Sequence, residues 1–139
     1  MRILGLDYGD SRIGVAVSDE LGWTAAPLCV VESKRGIKKA LNEIKLLLEK
    51  YGADTVVVGY PINMNGTLGP RVQKTDEFIA MLSARNPELN VVKWDERLTT
   101  AAADRAMRDM GVKQSVKGMN DMLAAAFILQ GYLDSIRKD

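Results

Sequence analysis

The chain has 139 residues, and its 19 Lys and Arg against 18 Asp and Glu leave a formal net charge of +1. Overall charge therefore gives no support for nucleic-acid binding, and any basic surface must be local. Length and composition are those of one globular domain, covering residues 1–139. We expect no membrane contact and a cytoplasmic location, because the sequence shows neither an apolar span nor a signal-peptide pattern.

The most informative compositional feature is the absence of histidine, together with a single cysteine, Cys29. This excludes Ser-His and Cys-His catalysis, a disulfide within the chain, and the usual His and Cys zinc sites. Hydrolytic chemistry would then depend on carboxylates, which favour hard cations such as Mg²⁺. Cys29 lies in an apolar run, which is typical of a buried structural thiol.

The first half of the sequence predicts a hairpin, a third strand and a helix. Strands are predicted at residues 2–6 and 13–18, and the turn sequence Asp7-Tyr8-Gly9-Asp10 separates them. A third strand is predicted at 27–31. Apolar residues recur at helical spacing from 37 to 51, and Gly52 is placed to end that helix.

The second half alternates strands and helices. The apolar run 55–59 predicts a strand covered on both faces, and a helix is predicted at 72–84 with Phe78, Ile79 and Leu82 facing inward. A strand at 91–94 precedes a helix that begins after Thr99 or Thr100 and ends near 110. A mobile segment at 111–118 and a last helix at 120–136 follow. The order predicts a mixed α/β domain in which an antiparallel hairpin begins the sheet.

Three acidic residues, distant in sequence, are predicted to meet at one end of this sheet. Asp7 and Glu96 follow the carboxyl ends of two strands, where sites in open α/β sheets collect. Asp121 begins the last helix, in register with its sheet-facing stripe of Ala124, Ala125, Ile128, Leu129 and Tyr132. Converging carboxylates repel one another and lose hydration, and a divalent cation, Mg²⁺ or Mn²⁺, offsets both costs. The pattern predicts metal-dependent phosphodiester hydrolysis.

Each acid also has a local explanation. Asp7 fits a turn residue that bonds its own backbone, Glu96 fits a surface acid paired with Arg97, and Asp121 fits a complement to the helix dipole. Asp95 competes with Glu96, because adjacent strand residues face opposite sides of a sheet. Spacing alone does not choose between them.

Polar and basic residues near these acids are candidates for substrate contacts. Basic side chains on the surrounding loops would position phosphates without reading sequence, although each is also explained as ordinary surface charge. Asn63 lies in a polar loop that would close over a substrate. The candidate substrate-binding residues are Arg12, Asn63, Arg71, Arg97, Lys113 and Lys117, with Lys74 nearby.

Four motifs in this order resemble the YqgF (RuvX) family of RuvC-related proteins. They are Asp7-Tyr8-Gly9-Asp10-Ser11-Arg12-Ile13-Gly14-Val15-Ala16, Gly59-Tyr60-Pro61, Asp95-Glu96-Arg97-Leu98-Thr99-Thr100, and Asp121 with Ala124-Ala125. The resemblance implies an RNase H-like fold with a five-stranded mixed sheet flanked by helices. It also implies that Asp7, Glu96 and Asp121 are the catalytic and metal-binding acids, which favours Glu96 over Asp95. Tyr60 departs from the leucine usual in the family.

The resemblance implies a nuclease that processes the 5′ end of pre-16S rRNA during ribosome biogenesis. The alternatives are a Holliday junction resolvase and a non-catalytic RNA- or protein-binding module in transcription or ribosome assembly. An ATP-binding lobe is a weaker alternative, because such sites need two lobes. We expect nucleic acid as the partner, pre-rRNA before structured DNA, and a monomer or weak homodimer, although a resolvase favours a dimer with paired sites.

Overall fold

The computed structural model describes residues 2–98 and 119–137. One sheet contains five strands in the order β3-β2-β1-β4-β5. The strands are β1 (Ile3–Tyr8), β2 (Arg12–Ser18), β3 (Ala25–Glu32), β4 (Thr55–Tyr60) and β5 (Asn90–Asp95). The α-helices within the described ranges are α1 (Ile37–Tyr51), α2 (Pro70–Arg85) and α3 (Met119–Ile136), and no helix there is long and apolar enough to cross a membrane.

The sheet is mixed, as the sequence predicts. β1 pairs antiparallel with β2, and β2 with β3, whereas β1 pairs parallel with β4, and β4 with β5. Every described strand and α-helix matches a predicted one, with ends shifted by no more than two residues. The short 3-10 helix Glu96–Leu98, which follows β5, was not predicted. The predicted helix at 99–110 and the segment at 111–118, with Lys113 and Lys117, lie outside the described residues.

One face of the sheet packs against α1 and α2. Alternate residues of β1, Leu4 and Leu6, are fully buried on this face. The predicted inward residues of α2, Phe78, Ile79 and Leu82, join the same core, and Tyr8 stacks on Phe78 with ring centroids 4.6 Å apart. The larger apolar side chains of the molecule are concentrated here.

The opposite face packs against α3, and β1 and β2 present glycines to the helix there. A Cβ atom on Gly5 would lie 2.7 Å from the Cβ of Leu129 and 2.9 Å from the carbonyl oxygen of Ala125. A Cβ on Gly14 would overlap the backbone carbonyl of Asp121. The missing side chains thus allow the α3 backbone to lie directly against β1 and β2. The buried residues of this second core are Ala16, Val57, Ala125, Ala126, Ile128, Leu129 and Leu133.

We predict that Gly5→Ala lowers the free energy of unfolding by about 2–3 kcal/mol, because the added methyl pushes α3 away from the sheet. Gly52→Ala is the control. Gly52 ends α1 at φ 62° with nothing within 4 Å of its Cβ position, so its cost of about 1 kcal/mol is purely conformational. Urea unfolding of both variants measures the difference. Equal costs would contradict the close packing of α3.

Candidate active site

The carboxyl ends of β1, β4 and β5 lie side by side, and the face toward α3 brings two of the predicted acids together there. Asp7 lies in β1 on the same side as Gly5, since residues two apart in a strand share a face. Glu96 directly follows β5, and its Oε1 lies 2.6 Å from the position of a Cβ on Gly59. That same Cβ position lies 2.6 Å from Ile128 Cδ1 of α3, so Glu96 occupies the α3 side of the sheet.

Asp7 is the most strongly perturbed acid of this group. Burial is the largest cause, and it is followed by the negative charge of Glu96, a hydrogen bond with Glu96 and the charge of Asp121; together they raise the pKa of Asp7 from 3.8 to about 8. Arg71 opposes the change only partly. The carboxyl group of Asp7 therefore favours its protonated form beside Glu96, and a bound cation would offset the same negative charge.

Asp121 lies close enough to affect Asp7, but its carboxylate points to an arginine. Arg12, the first residue of β2, donates a hydrogen bond from Nε to Asp121 Oδ2 at 2.8 Å. The two side chains are 40% and 27% exposed, so the pair is accessible from solvent. Within residues 2–98 and 119–137, no three His, Cys, Asp or Glu side chains are arranged as a metal-binding group. Among these residues, the partner of the Asp121 carboxylate is Arg12 and not another acid.

Asp95 has a different partner from Glu96. It accepts hydrogen bonds from the backbone N–H of Arg97 at 2.9 Å and from the guanidinium Nη2 at 2.8 Å. The hydrogen bond from the Arg97 side chain is the main reason that the pKa of Asp95 lies below its usual value. The contact between Asp95 and Arg97 was not predicted from the sequence. The signal for it is the Asp-x-Arg spacing, in which the acid bonds the backbone two residues on.

The loop that contains Asn63 is closed by its own hydrogen bonds. The N–H of Asn63 donates to the Thr67 carbonyl at 3.0 Å, the N–H of Gly66 donates to the Asn63 carbonyl at 2.8 Å, and Asn63 Nδ2 donates to Thr67 Oγ1 at 3.0 Å. Arg97 Nη1 lies 3.6 Å from the Cβ position of Gly66. The loop is thus already folded, and Arg97 lies beside it.

Two further basic candidates, Arg71 and Lys74, lie where β1 ends and α2 begins. Arg71 and Lys74 line a cavity of about 140 Å³ together with Tyr8 and Asp10. Lys74 pairs with Asp10 at 3.4 Å, and both side chains are mostly exposed. Arg71 is the basic residue whose charge acts on Asp7. This places a positive group near the buried acid.

Tyr60 is part of a separate group of polar residues. Its hydroxyl donates to Asp76 Oδ2 at 2.9 Å, and the Lys93 ammonium lies 5.0 Å from the centre of its ring. Because Gly59 faces α3, the next residue of the strand faces the other side. Tyr60 therefore links β4 to α2 on the face of the sheet opposite to α3.

The sequence matches known proteins over nearly its whole length. A family model described as "RuvX: Holliday junction resolvase" matches residues 1–135. A relative from Ruminiclostridium cellulolyticum, named "Putative pre-16S rRNA nuclease", is 53% identical over 137 residues, 98% of this chain and 96% of the relative. A relative of the same name from Acetivibrio thermocellus is 54% identical over 136 residues, 97% and 96% of the two chains.

Solved structures give the fold independently. RuvC from T. thermophilus, in complex with a Holliday junction substrate, superposes with a TM-score of 0.59 over 97% of both chains at 16% identity. A second T. thermophilus RuvC structure gives a TM-score of 0.52 over 96% of this chain and 97% of the other. Similarity at this level of identity concerns the fold alone. The chain has an RNase H-like fold and belongs to the RuvX (YqgF) family.

Proposed function

We propose that this protein is a divalent-metal-dependent nuclease that hydrolyses phosphodiester bonds in nucleic acid, and that it processes the 5′ end of pre-16S rRNA in the cytoplasm. The observation that carries the proposal is the meeting of Asp7 and Glu96 at one end of the sheet, close to Asp121, where partial burial and the two neighbouring negative charges raise the pKa of Asp7. Such perturbation marks functional acids. The names of the half-identical relatives support the choice of rRNA.

The residues present suit a hard divalent cation. The donors are carboxylate oxygens alone, and Gly59 leaves space that the Glu96 carboxylate fills. Asp7, Glu96 and Asp121 are the residues that would hold Mg²⁺ or Mn²⁺. When bound, such a cation supplies the positive charge that activates water and stabilises the leaving oxygen of the phosphodiester.

The protein's own groups complete the site. Asp7 must lose its proton before it serves as a ligand, so we expect cation binding to strengthen as the pH rises toward about 8. Arg12 and Arg71 lie near the acids and would offset phosphate charge, whereas Arg97, fixed by Asp95, would contact the strand beside the Asn63 loop. Lys113 and Lys117 are further proposed phosphate contacts. Hydrolysis bonds a water oxygen to phosphorus and breaks the bond to the leaving ribose oxygen, which takes up a proton.

A second candidate function is cleavage of four-way DNA junctions. The description of the matching family model favours it. This function requires two sites that act on opposite strands, and a twofold dimer provides them. Cleavage of a pre-rRNA fragment and of a synthetic four-way junction, assayed at equal concentration, separates the two candidates. The mass of the protein in solution shows whether it is a dimer.

We predict that Asp7→Asn lowers Mg²⁺- or Mn²⁺-dependent cleavage of the preferred substrate by about 10³-fold or more, because the amide removes a charged ligand. The measurement is the single-turnover rate on labelled pre-rRNA and junction substrates. The control is Asp134→Asn at the far end of α3, where Asp134 pairs with Arg137. Equal residual cleavage by wild type and Asp7→Asn would indicate a contaminant. Full biological activity without cleavage would favour the non-catalytic binding module.

A second prediction concerns stability without metal. Because the pKa of Asp7 is raised in the folded state from 3.8 to about 8, its contribution to stability is complete below about pH 4 and is lost as the pH rises through about 8. Asp7→Asn cannot ionise at this position. Measured by urea unfolding in EDTA, the variant should match wild type near pH 4 and exceed it by several kcal/mol at pH 8, since each unit of pKa difference corresponds to about 1.4 kcal/mol. A constant difference between the two proteins across this pH range would contradict the assignment.

A third prediction uses the space above Gly59. Gly59→Ala places a methyl 2.6 Å from both Glu96 Oε1 and Ile128 Cδ1, so Glu96 must move. We expect kcat to fall by about 10- to 100-fold. Adding Ile128→Val removes the Cδ1 atom but leaves the conflict with Glu96. The double variant should therefore regain stability and not activity. If the double variant regained both stability and activity, activity would not depend on the position of the Glu96 carboxylate over Gly59.

A further inference from the structure

The contact between Arg12 and Asp121 joins parts of the chain that are 109 residues apart. It consists of one short hydrogen bond, from Nε to Oδ2 at 2.8 Å, between side chains that are both partly exposed. A charge-assisted bond of this length is strong for its type. Exposure keeps its net stabilising contribution modest, so the bond can be exchanged for another partner.

The backbone around Asp121 has little freedom to move. Its carbonyl packs on Gly14, where even a Cβ would overlap it, and the following turns of α3 pack on Gly5. The Asp121 side chain can therefore change its partner by rotation while α3 stays in place. Arg12 is 40% exposed, so its long side chain can leave the pair for solvent or for a phosphate.

We propose that Arg12 is a positioning residue that competes with the divalent cation for the carboxylate of Asp121. The inference rests on the proposed function. In the metal-free protein the negative charge of Asp121 acts on Asp7. The guanidinium of Arg12 forms an ion pair with Asp121 and offsets part of that charge. A bound cation would take Asp121 from Arg12, and the guanidinium would then be available to the substrate phosphate. Metal binding thereby prepares a substrate contact.

The first test is calorimetric titration of Mn²⁺ alone into the full chain. Arg12→Gln should tighten the dissociation constant by about threefold to tenfold, because the cation no longer displaces an arginine. Arg12→Lys restores a positively charged side chain beside Asp121. Its dissociation constant for Mn²⁺ should therefore lie close to that of wild type. Arg71→Gln is the matched control: Arg71 acts on Asp7 through charge, so its loss reports only the general effect of removing a nearby positive charge. Thermal unfolding verifies that every variant is folded.

The second test follows Arg12 directly. The Nε–H signal of Arg12 in nitrogen-edited NMR should shift toward that of a solvated arginine when Mg²⁺ is added. An unchanged Arg12 signal at saturating Mg²⁺ would overturn the proposal, as would equal tightening by Arg12→Gln and Arg71→Gln. If neither wild type nor any variant binds Mn²⁺, the proposed function itself fails. Binding by wild type with an unaltered affinity in Arg12→Gln rejects the competition alone.

Discussion

The contact of the α3 backbone with the sheet is the constraint on which the site depends. Gly5 and Gly14 carry no side chain where α3 crosses β1 and β2, and any Cβ there would meet backbone atoms of the helix. The first turn of α3 is therefore held against the beginning of β2, at Gly14. This close approach brings Asp121 to the same sheet end as Asp7, which follows Gly5 on the same face. Packing without side chains thus determines where a carboxylate lies.

The same packing creates the electrostatic conflict at the site. Asp7 is partly buried on the α3 side of the sheet, and the charges of two further acids act on it. Burying like charges costs free energy that a proton, an arginine or a cation must offset. The structure uses the first two solutions: a hydrogen bond joins Asp7 with Glu96, and Arg12 holds Asp121. In the proposed function a cation would take the place of both.

The sequence predicted most of the fold because its strands and helices have clear periodicity and turn residues. It also brought Asp7 and Asp121 to one sheet end by strand phase and helical register. It did not distinguish Asp95 from Glu96, because the deciding feature is the space over Gly59 on a neighbouring strand. Pairings such as Arg12 with Asp121 depend on side-chain directions across distant segments, and periodicity carries no information about them. A glycine inside a strand was the available signal for close backbone approach.

The two arginine–aspartate pairs at this end of the sheet, Arg97 with Asp95 and Arg12 with Asp121, differ in how firmly the carboxylate is held. Asp95 accepts the backbone N–H of Arg97 as well as its guanidinium, within a contact only two residues apart. Moving that carboxylate would undo the turn that presents Glu96. Among residues 2–98 and 119–137, Asp121 meets Arg12 through one side-chain bond 109 residues apart, with no backbone N–H taking part in that contact. The first pair therefore maintains the shape of the site, and the second can exchange partners during a binding event.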